Sequence, residues 1–440
     1  MRTSDIQDFV VEPEDKNGFT RSLNFKSLGI LMRNTFLPFS PPLIGDEEIA
    51  EVIDTLRSDW ITTGPKVKRF EQEFAAFVGA PDALAVSSCT AALHLALLAF
   101  GIGRGDAVLV SPLTFCSAVH VIEHVGATPI LVDVEPDTLN IDPDQIEPAI
   151  VRAQALGLKV RAVMPVHLYG HPCDLDRIVA IAEAHKIAII EDAAHALPAK
   201  YKGKMIGSDC GTDNSPRAIC FSFYATKNLT TAEGGMLVAN PEVLERARVW
   251  SLHGMNRDAW KRYGAQGSWF YQVVCPGYKY NMTDLQAALG LIQLRKLSGF
   301  HARRREIVSK YNRAFAAVDA AQIPHEHSTT QHAWHLYVLR LNSTTLAIDR
   351  NQFISELTAQ NVGSSVHFIP IHFQQYYREK YGFSESDFPI ASREFQRLVS
   401  LPLSPRMSDG DVTDVITAVL GIFQKNRIST RIMETPVGSD

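Results

Sequence analysis

The feature that most constrains the fold of this chain is a regular alternation, between about residues 83 and 192, of short apolar runs with amphipathic segments. Short apolar runs predict buried strands, and apolar residues at every third or fourth position predict helices. The strand-like runs are ALAV, AVLV, PILVDV, VRAVMPV and IAIIED, and a helical pattern follows each of the first four. Strands and helices that alternate in this way form a mainly parallel sheet flanked by helices. The sequence therefore predicts an α/β fold.

A second, smaller domain is predicted after this alternation. Residues 283–315 have the pattern of one long helix, which we expect to cross between two domains. Beyond it, WHLYVLRL and SVHF predict strands, and residues 350–360 and 409–423 predict helices, which together suffice for a small C-terminal α+β domain. The predicted division is a flexible extension at 1–34, a large cofactor-binding domain at 35–300, a small domain at 301–424 and a flexible tail at 425–440.

Composition and charge exclude several classes of function. The 43 Lys and Arg residues against 48 Asp and Glu residues give a net charge of −5 without a basic run, so nucleic acid is not an expected partner. The six cysteines form no CxxC pair, and no metal site is predicted. The N-terminal segment lacks the pattern of a signal peptide, and no apolar run is long enough to span a membrane, so we expect a cytoplasmic protein. We also expect residues 1–31 to be dispensable, with Met32 as an alternative start of translation.

Two ionisable residues stand where a charge is costly to bury. Asp192 ends the apolar run IAIIED, and an ionised carboxylate there needs a facing cation. Lys227 follows the apolar run AICFSF in a loop rich in Ser, Thr and Gly, unlike lysines on solvated helix faces. An amine that is shielded from water has a lowered pKa and is nucleophilic.

The sequence also contains a candidate phosphate-binding turn. The residues SSCT, at 87–90, precede a helical pattern, so the amides of Cys89 and Thr90 can point at an anion. Ser222 can add a hydroxyl, and Phe115 is placed to stack on a planar ring. An aspartate facing a pyridinium nitrogen, a Schiff-base lysine and a phosphate-binding turn are together what pyridoxal phosphate requires. Each of these residues taken alone also fits a structural role, and it is their ordered combination that favours the cofactor.

These motifs, in this order, resemble the DegT/StrS-type, pyridoxal-phosphate-dependent nucleotide-sugar aminotransferases of fold type I. The resemblance covers about residues 37–424 and rests on WITTGP, SSCTAALHLAL, DLDRI, EDAAHA, FSFYATKNLTTAEGG, GYKYNMTDLQAALG and SLPLSP. It implies that Lys227 carries the cofactor, that Asp192 pairs with the pyridine nitrogen, and that His195 lies beside the cofactor. It also implies that Phe115 stacks on the ring. Three residues are implied to hold the phosphate: Cys89, Thr90 and Ser222.

The resemblance further implies a homodimer with shared active sites. In the family, a loop of the partner subunit completes each site, and this loop matches GYKYNM at 277–282. Many members have GYNYRM there, so Lys279 and Asn281 stand where those have Asn and Arg. Asn281, with Lys279 as the alternative, is expected to reach the phosphate in the neighbouring subunit.

Within the family, residues 332–341 and 365–379 look most like the enzymes that aminate C4 of UDP-linked 4-keto sugars, such as UDP-4-amino-4-deoxy-L-arabinose–oxoglutarate aminotransferase. His335 and His367 are then candidates for the substrate pocket, with a structural role as the alternative. The implied reaction moves an amino group from glutamate to a nucleotide-linked keto sugar and releases 2-oxoglutarate, for the synthesis of cell-surface polysaccharide or related amino sugars.

Two other readings are available on the same fold. A sugar dehydratase that depends on pyridoxal phosphate has a histidine in place of the tethering lysine, and Lys227 argues against it. A noncatalytic regulator usually needs an added DNA-binding domain, and the 34 residues at the N-terminus are too few to form one.

Overall fold

The computed structural model of the chain describes residues 33–212, 214–255 and 270–428. The rest of the predicted N-terminal extension and of the predicted tail lies outside the described residues. No helix in the described ranges is long and apolar enough to cross a membrane.

A mainly parallel sheet of seven strands is the centre of the described fold. The strands up to residue 239 are β1 (Ala83–Val86), β2 (Asp106–Val110), β3 (Thr128–Leu131), β4 (Lys159–Met164), β5 (Ala188–Asp192), β6 (Lys200–Tyr201), β7 (Lys204–Met205), β8 (Arg217–Ser222) and β9 (Gly235–Ala239). The order across the sheet is β1-β9-β8-β5-β4-β2-β3, and β9 runs antiparallel to both of its neighbours. The hairpin of β6 and β7 lies outside this sheet and is not apparent in the sequence pattern.

Helices cover both faces of this sheet. Because side chains alternate along a strand, Val108 and Val110 of β2 belong to one apolar core, while Ala107 and Leu109 belong to the other. The helices up to residue 315 are α1 (Asp46–Arg57), α2 (Pro65–Val78), α3 (Cys89–Ala99), α4 (Ser117–His124), α5 (Ile146–Ala155), α6 (Leu175–His185), α7 (Pro241–Ser251) and α8 (Asp284–Phe315). The predicted α/β class is thereby confirmed.

Helix α8 contributes side chains to two packed regions. Its first half contributes Leu291 and Leu297 to a core of the large sheet, whereas its second half contributes Ile307 and Tyr311 to a third core. The proposed domain boundary at residue 300 therefore falls inside one continuous helix.

The third core belongs to the C-terminal α+β region. The elements of this C-terminal region are β10 (Ala321–Gln322), β11 (Thr330–Gln331), β12 (Tyr337–Leu341), α9 (Arg350–Ala359), α10 (Gln375–Tyr381), α11 (Pro389–Phe395), β13 (Leu398–Leu401) and α12 (Asp409–Lys425). Strands β10, β12 and β13 form an antiparallel sheet, and β11 pairs with β6. The predicted strand SVHF is wrong, because only Ser365 pairs there, with Ser400, and the His367 carbonyl oxygen accepts a hydrogen bond from the Tyr169 hydroxyl.

The structure also differs from the sequence prediction at both ends of the described chain. Arg33, predicted to lie in a flexible extension, forms a 2.7 Å ion pair with Asp411 of α12. At the other end, α12 continues to Lys425, and the amide of Ile428 donates to the Thr345 carbonyl oxygen at 2.9 Å. Arg33 is held by a carboxylate of α12, and Ile428 is held by the Thr345 carbonyl oxygen. A hydropathy pattern does not reveal either partner.

Candidate active site

A cavity of about 320 Å³ lies where β5 and β8 end and α3 begins. Ligands of open α/β sheets bind at this carboxyl edge of the strands. Nine residues that the sequence singles out line the cavity: Cys89, Thr90, Phe115, Asp192, His195, Ser222, Lys227, His335 and His367.

Asp192 is the buried acid of the cavity. It is the last residue of β5 and only 5% exposed, and its Oδ1 accepts a hydrogen bond from the Ala194 amide at 3.0 Å. Burial raises the pKa of Asp192, while the Ala194 amide and the nearby Lys227 ammonium act in the opposite direction. The thiol of Cys89 lies 3.9 Å from the same Oδ1, so this side chain faces the acid and leaves only its backbone amide for an anion.

Lys227 supplies the cavity with an amine that is not engaged elsewhere. In the described part of the chain its Nζ makes no hydrogen bond or ion pair, while its backbone amide closes a turn onto the Tyr224 carbonyl oxygen at 2.9 Å. Burial lowers the pKa of Lys227 from 10.5 to about 8, although the Asp192 carboxylate favours the charged form. Such an amine is a competent nucleophile and proton carrier near neutral pH.

The first turn of α3 forms an anion-binding turn. Ser88 caps the helix by accepting a hydrogen bond from the Ala91 amide at 3.0 Å, and the amides of Cys89 and Thr90 donate to no other described residue. Strand β9 lies against this turn, since a Cβ atom on Gly235 would stand 2.6 Å from the Cys89 nitrogen. Two open amides at a helix N-terminus suit a phosphate group.

Neutral imidazoles and aromatic rings also line the cavity. His195 accepts a hydrogen bond at Nδ1 from the Tyr169 amide at 3.2 Å, and its ring stacks on Phe368 with centroids 5.8 Å apart. Burial lowers the pKa of His195 well below the usual value, and burial lowers the pKa of His367 to about 4. Phe115 is 55% exposed and presents its ring to the cavity, 5.7 Å from Phe368.

The residues around this cavity that the sequence prediction does not name include Thr114, Tyr169 and Phe368. Phe368 and Thr114 line it, and Thr114 carries a buried hydroxyl without a hydrogen-bond partner among the described residues. Tyr169 does not line the cavity but contacts two residues that do. Its amide donates to Nδ1 of His195, and its hydroxyl donates to the His367 carbonyl oxygen. The only available signals are that Thr114 and Phe368 each adjoin a residue that was predicted.

Two predicted residues do not line the cavity of their own chain. Asn281 donates from Nδ2 to the Thr63 hydroxyl at 2.6 Å, and Lys279 donates to Oδ1 of Asn281. Lys279 is exposed. The loop 277–282 lies beside the end of β1, where the Ser87 amide donates to the Tyr280 carbonyl oxygen at 2.7 Å.

Comparison with known proteins places the chain in a family. The profile of the DegT/DnrJ/EryC1/StrS aminotransferase family matches residues 42–420. The chain belongs to this family, which confirms the predicted family and enzyme class.

Relatives and solved structures agree with this assignment. The chain is 52% identical over 394 residues to the spore coat polysaccharide biosynthesis protein SpsC of Bacillus subtilis (strain 168), covering 89% of this chain and 98% of that protein. It is also similar to the PMP-form of Spr1654 from Streptococcus pneumoniae, assigned as a sugar aminotransferase, with a TM-score of 0.81, 37% identity and coverage of 88% and 99%. The PLP-form of that protein gives a TM-score of 0.80 at 36% identity, covering 89% and 99%.

The class of the protein follows from the family and the site together. It is a sugar aminotransferase, and the predicted cofactor, pyridoxal phosphate, is confirmed at the level of the family. The residues present also fit this cofactor, since the open amides of Cys89 and Thr90, the unengaged amine of Lys227 and the buried Asp192 border one cavity.

Proposed function

We propose that the protein transfers an amino group from glutamate to a nucleotide-linked keto sugar, at C4 of a UDP-linked 4-keto sugar. The observation that carries the proposal is the unengaged Lys227 amine, with its lowered pKa, in the same cavity as Asp192 and the open turn of α3. The likeness of residues 332–341 and 365–379 to C4-aminating enzymes supports the choice of substrate.

The residues of this chain divide the work of holding the cofactor. The Cys89 and Thr90 amides and the Ser222 hydroxyl would bind its phosphate, and Asp192 would keep its ring nitrogen protonated. Phe115 would cover one face of the ring, while His195 would lie beside it. When bound, pyridoxal phosphate supplies an electron-withdrawing ring that weakens bonds to the carbon carrying the amine.

Lys227 would have two roles. Its Nζ would tether the resting cofactor, and once displaced by the incoming amine it would accept the proton from the donor carbon and deliver it to the cofactor carbon C4′. A pKa of about 8 suits both tasks near neutral pH. Glutamate and the keto sugar would use the same cavity in turn, which predicts ping-pong kinetics.

His335 and His367 would form part of the sugar pocket. Both line the cavity, and both are held neutral because burial lowers their pKa values. Neutral imidazoles can hydrogen-bond to hydroxyl and carbonyl groups without the cost of an unpaired buried charge.

A panel of substrates tests this proposal. Purified protein supplied with pyridoxal phosphate and glutamate is incubated with UDP- and dTDP-linked keto sugars, and amino sugar and 2-oxoglutarate are measured by mass spectrometry. We expect equal amounts of both products with a UDP-linked 4-keto sugar, and none with Lys227→Ala. No amino sugar from any keto sugar of the panel would overturn the proposed substrate class, and amino sugar from dTDP-linked keto sugars alone would overturn the choice of UDP.

We further propose that two copies form a homodimer in which each subunit completes the other's site. The described lining carries two carboxylates, Asp192 and Glu233, and one amine, Lys227, so a bound phosphate calls for a further cation or donor. The loop with the exposed Lys279 and the half-buried Asn281 offers both and does not line its own cavity. Asn281 of the partner subunit, with Lys279 as the alternative, would reach the phosphate.

An apolar stripe on α1 supports the dimer. Ile49, Ile53 and Leu56 are 51%, 40% and 59% exposed, and their spacing places them on one helical face. A surface of this kind is typical of an interface between subunits.

Subunit exchange between two inactive variants tests the shared site. In a heterodimer of Lys227→Ala and Asn281→Asp, one site contains both substitutions and the other contains neither, because each site combines Lys227 of one subunit with the loop of the other. Up to half of the sites in the heterodimer should therefore recover activity. Lys279→Ala in place of Asn281→Asp decides which residue makes the contact. The matched control mixes Lys227→Ala with Asp192→Asn, which lie in the same chain's half of the site and should not complement. Recovery in neither loop mixture would mean that each subunit builds its own site.

A further inference from the structure

Asn228, next to the reactive lysine, connects its own loop to two other segments through its side-chain amide. Its Nδ2 donates to the carbonyl oxygens of Leu197 and Ala333, at 2.9 and 2.8 Å. Its Oδ1 lies 3.4 Å from Nδ1 of His335. Asn228 is buried, and these three contacts use both hydrogens of its NH₂ group and one lone pair of its Oδ1.

The orientation of this amide is fixed by its partners. Two carbonyl oxygens can only accept hydrogen bonds, so the group that faces them must be the NH₂ group. The amide oxygen is then the atom that faces His335. Because this oxygen is an acceptor, Nδ1 of His335 must carry the hydrogen.

The tautomer of His335 follows from this contact. The ring is 3% exposed, and its pKa is lowered well below the usual value by burial and by the nearby Lys227 ammonium, so the imidazole is neutral. A neutral ring that is protonated at Nδ1 has a free lone pair at Nε2. His335 lines the cavity, and its Nε2 makes no hydrogen bond within the described ranges, so this lone pair is available to a ligand.

The backbone around His335 is held as firmly as its ring. Arg304 of α8, which is buried, donates from Nη1 to the carbonyl oxygens of Trp334 and His335 at 3.2 and 3.3 Å. The neighbouring His195 has the opposite tautomer, since its Nδ1 accepts a hydrogen bond and its Nε2 must carry the hydrogen. The two rings, with centroids 4.5 Å apart, thus give the cavity one acceptor and one donor.

We propose that His335 is a specificity-determining residue that accepts a hydrogen bond from a hydroxyl group of the sugar, and that Asn228 is the positioning residue that sets its tautomer. The inference rests on the proposed function, and it names the chemistry the pocket selects. A hydroxyl group can donate to Nε2, whereas a carboxylate, a phosphate oxygen or a bare CH₂ group cannot.

The tautomer can be measured without any turnover. Protein labelled with ¹⁵N-histidine is studied by NMR with and without the substitution His335→Gln, which assigns the two ring nitrogens of His335 by difference. At neutral pH we expect Nδ1 to be protonated and Nε2 to be unprotonated, and Asn228→Ala should abolish this preference. A proton on Nε2 in the wild-type protein would overturn the inference.

The selectivity is tested with a matched pair of substitutions. His335→Asn retains an amide that can donate to Asn228 but places nothing at the position of Nε2, whereas His335→Gln keeps an acceptor there. The probes are a UDP-linked 4-keto sugar and its analogue without the hydroxyl group next to the keto carbon. The wild-type protein and His335→Gln should prefer the hydroxylated sugar by about tenfold in kcat/KM, and His335→Asn should lose this preference.

The control and the contrary outcomes are separate for each claim. His372 is buried against the Ser392 hydroxyl at 2.8 Å and does not line the cavity, so His372→Asn should leave the preference unchanged. An undiminished preference in His335→Asn would overturn the assignment to a sugar hydroxyl even if the tautomer is as described. Failure of the wild-type protein to aminate any keto sugar would instead overturn the proposed function, while the NMR result still stands by itself.

Discussion

Capture of pyridoxal phosphate by the cofactor-free protein should depend on pH in a way that Lys227 sets. Only the neutral amine is a nucleophile, and burial lowers the pKa of Lys227 from 10.5 to about 8. At pH 7 an amine with a pKa of 8 is about 9% neutral, whereas one with a pKa of 10.5 is about 0.03% neutral. The cavity therefore increases the reactive form by about 300-fold over an exposed lysine.

Stopped-flow absorbance can follow this capture between pH 6 and 10. The rate should rise about tenfold per pH unit below pH 8 and become level above it. The reaction of pyridoxal phosphate with Nα-acetyl-lysine in the same buffers corrects for ionisation of the cofactor. Lys202→Ala, which removes a lysine whose side chain is 52% exposed, is the matched control and should change nothing. A rate that continues to rise steeply up to pH 10 would refute the lowered pKa.

The same assay tests the interaction between the two central residues. The Asp192 carboxylate favours the charged form of Lys227 and so raises its pKa against the effect of burial. Asp192→Asn should therefore move the level part of the profile to lower pH. A movement to higher pH would contradict the assigned interaction.

Three further outcomes are expected. Asp192→Asn should keep the cofactor but lose about 3 kcal/mol of transition-state stabilisation, about 150-fold in turnover, because a neutral amide cannot keep the ring nitrogen protonated; near-normal turnover would make Asp192 structural. Gly235→Ala brings a Cβ atom to 2.6 Å from the Cys89 nitrogen and should weaken cofactor binding in equilibrium dialysis, whereas Gly421→Ala, whose Cβ atom would meet no described residue within 4 Å, should leave binding intact. A chain that begins at Met32 should fold and turn over like the full chain, and aggregation or lost activity would show that the preceding residues support the body.

Local patterns were sufficient for the residues that end buried strands. Asp192 follows an apolar run, and Lys227 lies in a polar loop after another, so both could be identified without knowledge of the fold. The alternation of apolar runs and amphipathic segments likewise predicted the sheet, and the helical pattern at 283–315 predicted α8. These features depend on neighbours in the sequence, which is why they were accessible.

Contacts between distant segments were not accessible in this way. The Tyr169 hydroxyl and the His367 carbonyl oxygen are 198 positions apart in the sequence, and their hydrogen bond helps to hold the segment 365–368 against the large sheet instead of in a strand. The antiparallel placement of β9 between β1 and β8 also depends on long-range packing. The hydrogen bond between His335 and the Asn228 side chain is also a long-range contact, since nothing near Asn228 in the sequence indicates its partner.

Borohydride reduction of the protein loaded with pyridoxal phosphate tests the central claim most directly, because it fixes the cofactor on the lysine that holds it. Peptide mapping by mass spectrometry then identifies this lysine. The arrangement of the cavity predicts a single labelled residue, Lys227, and loss of the visible absorbance band on reduction. Label on any other lysine, with Lys227 unmodified, would contradict the assignment of this cavity as the active site.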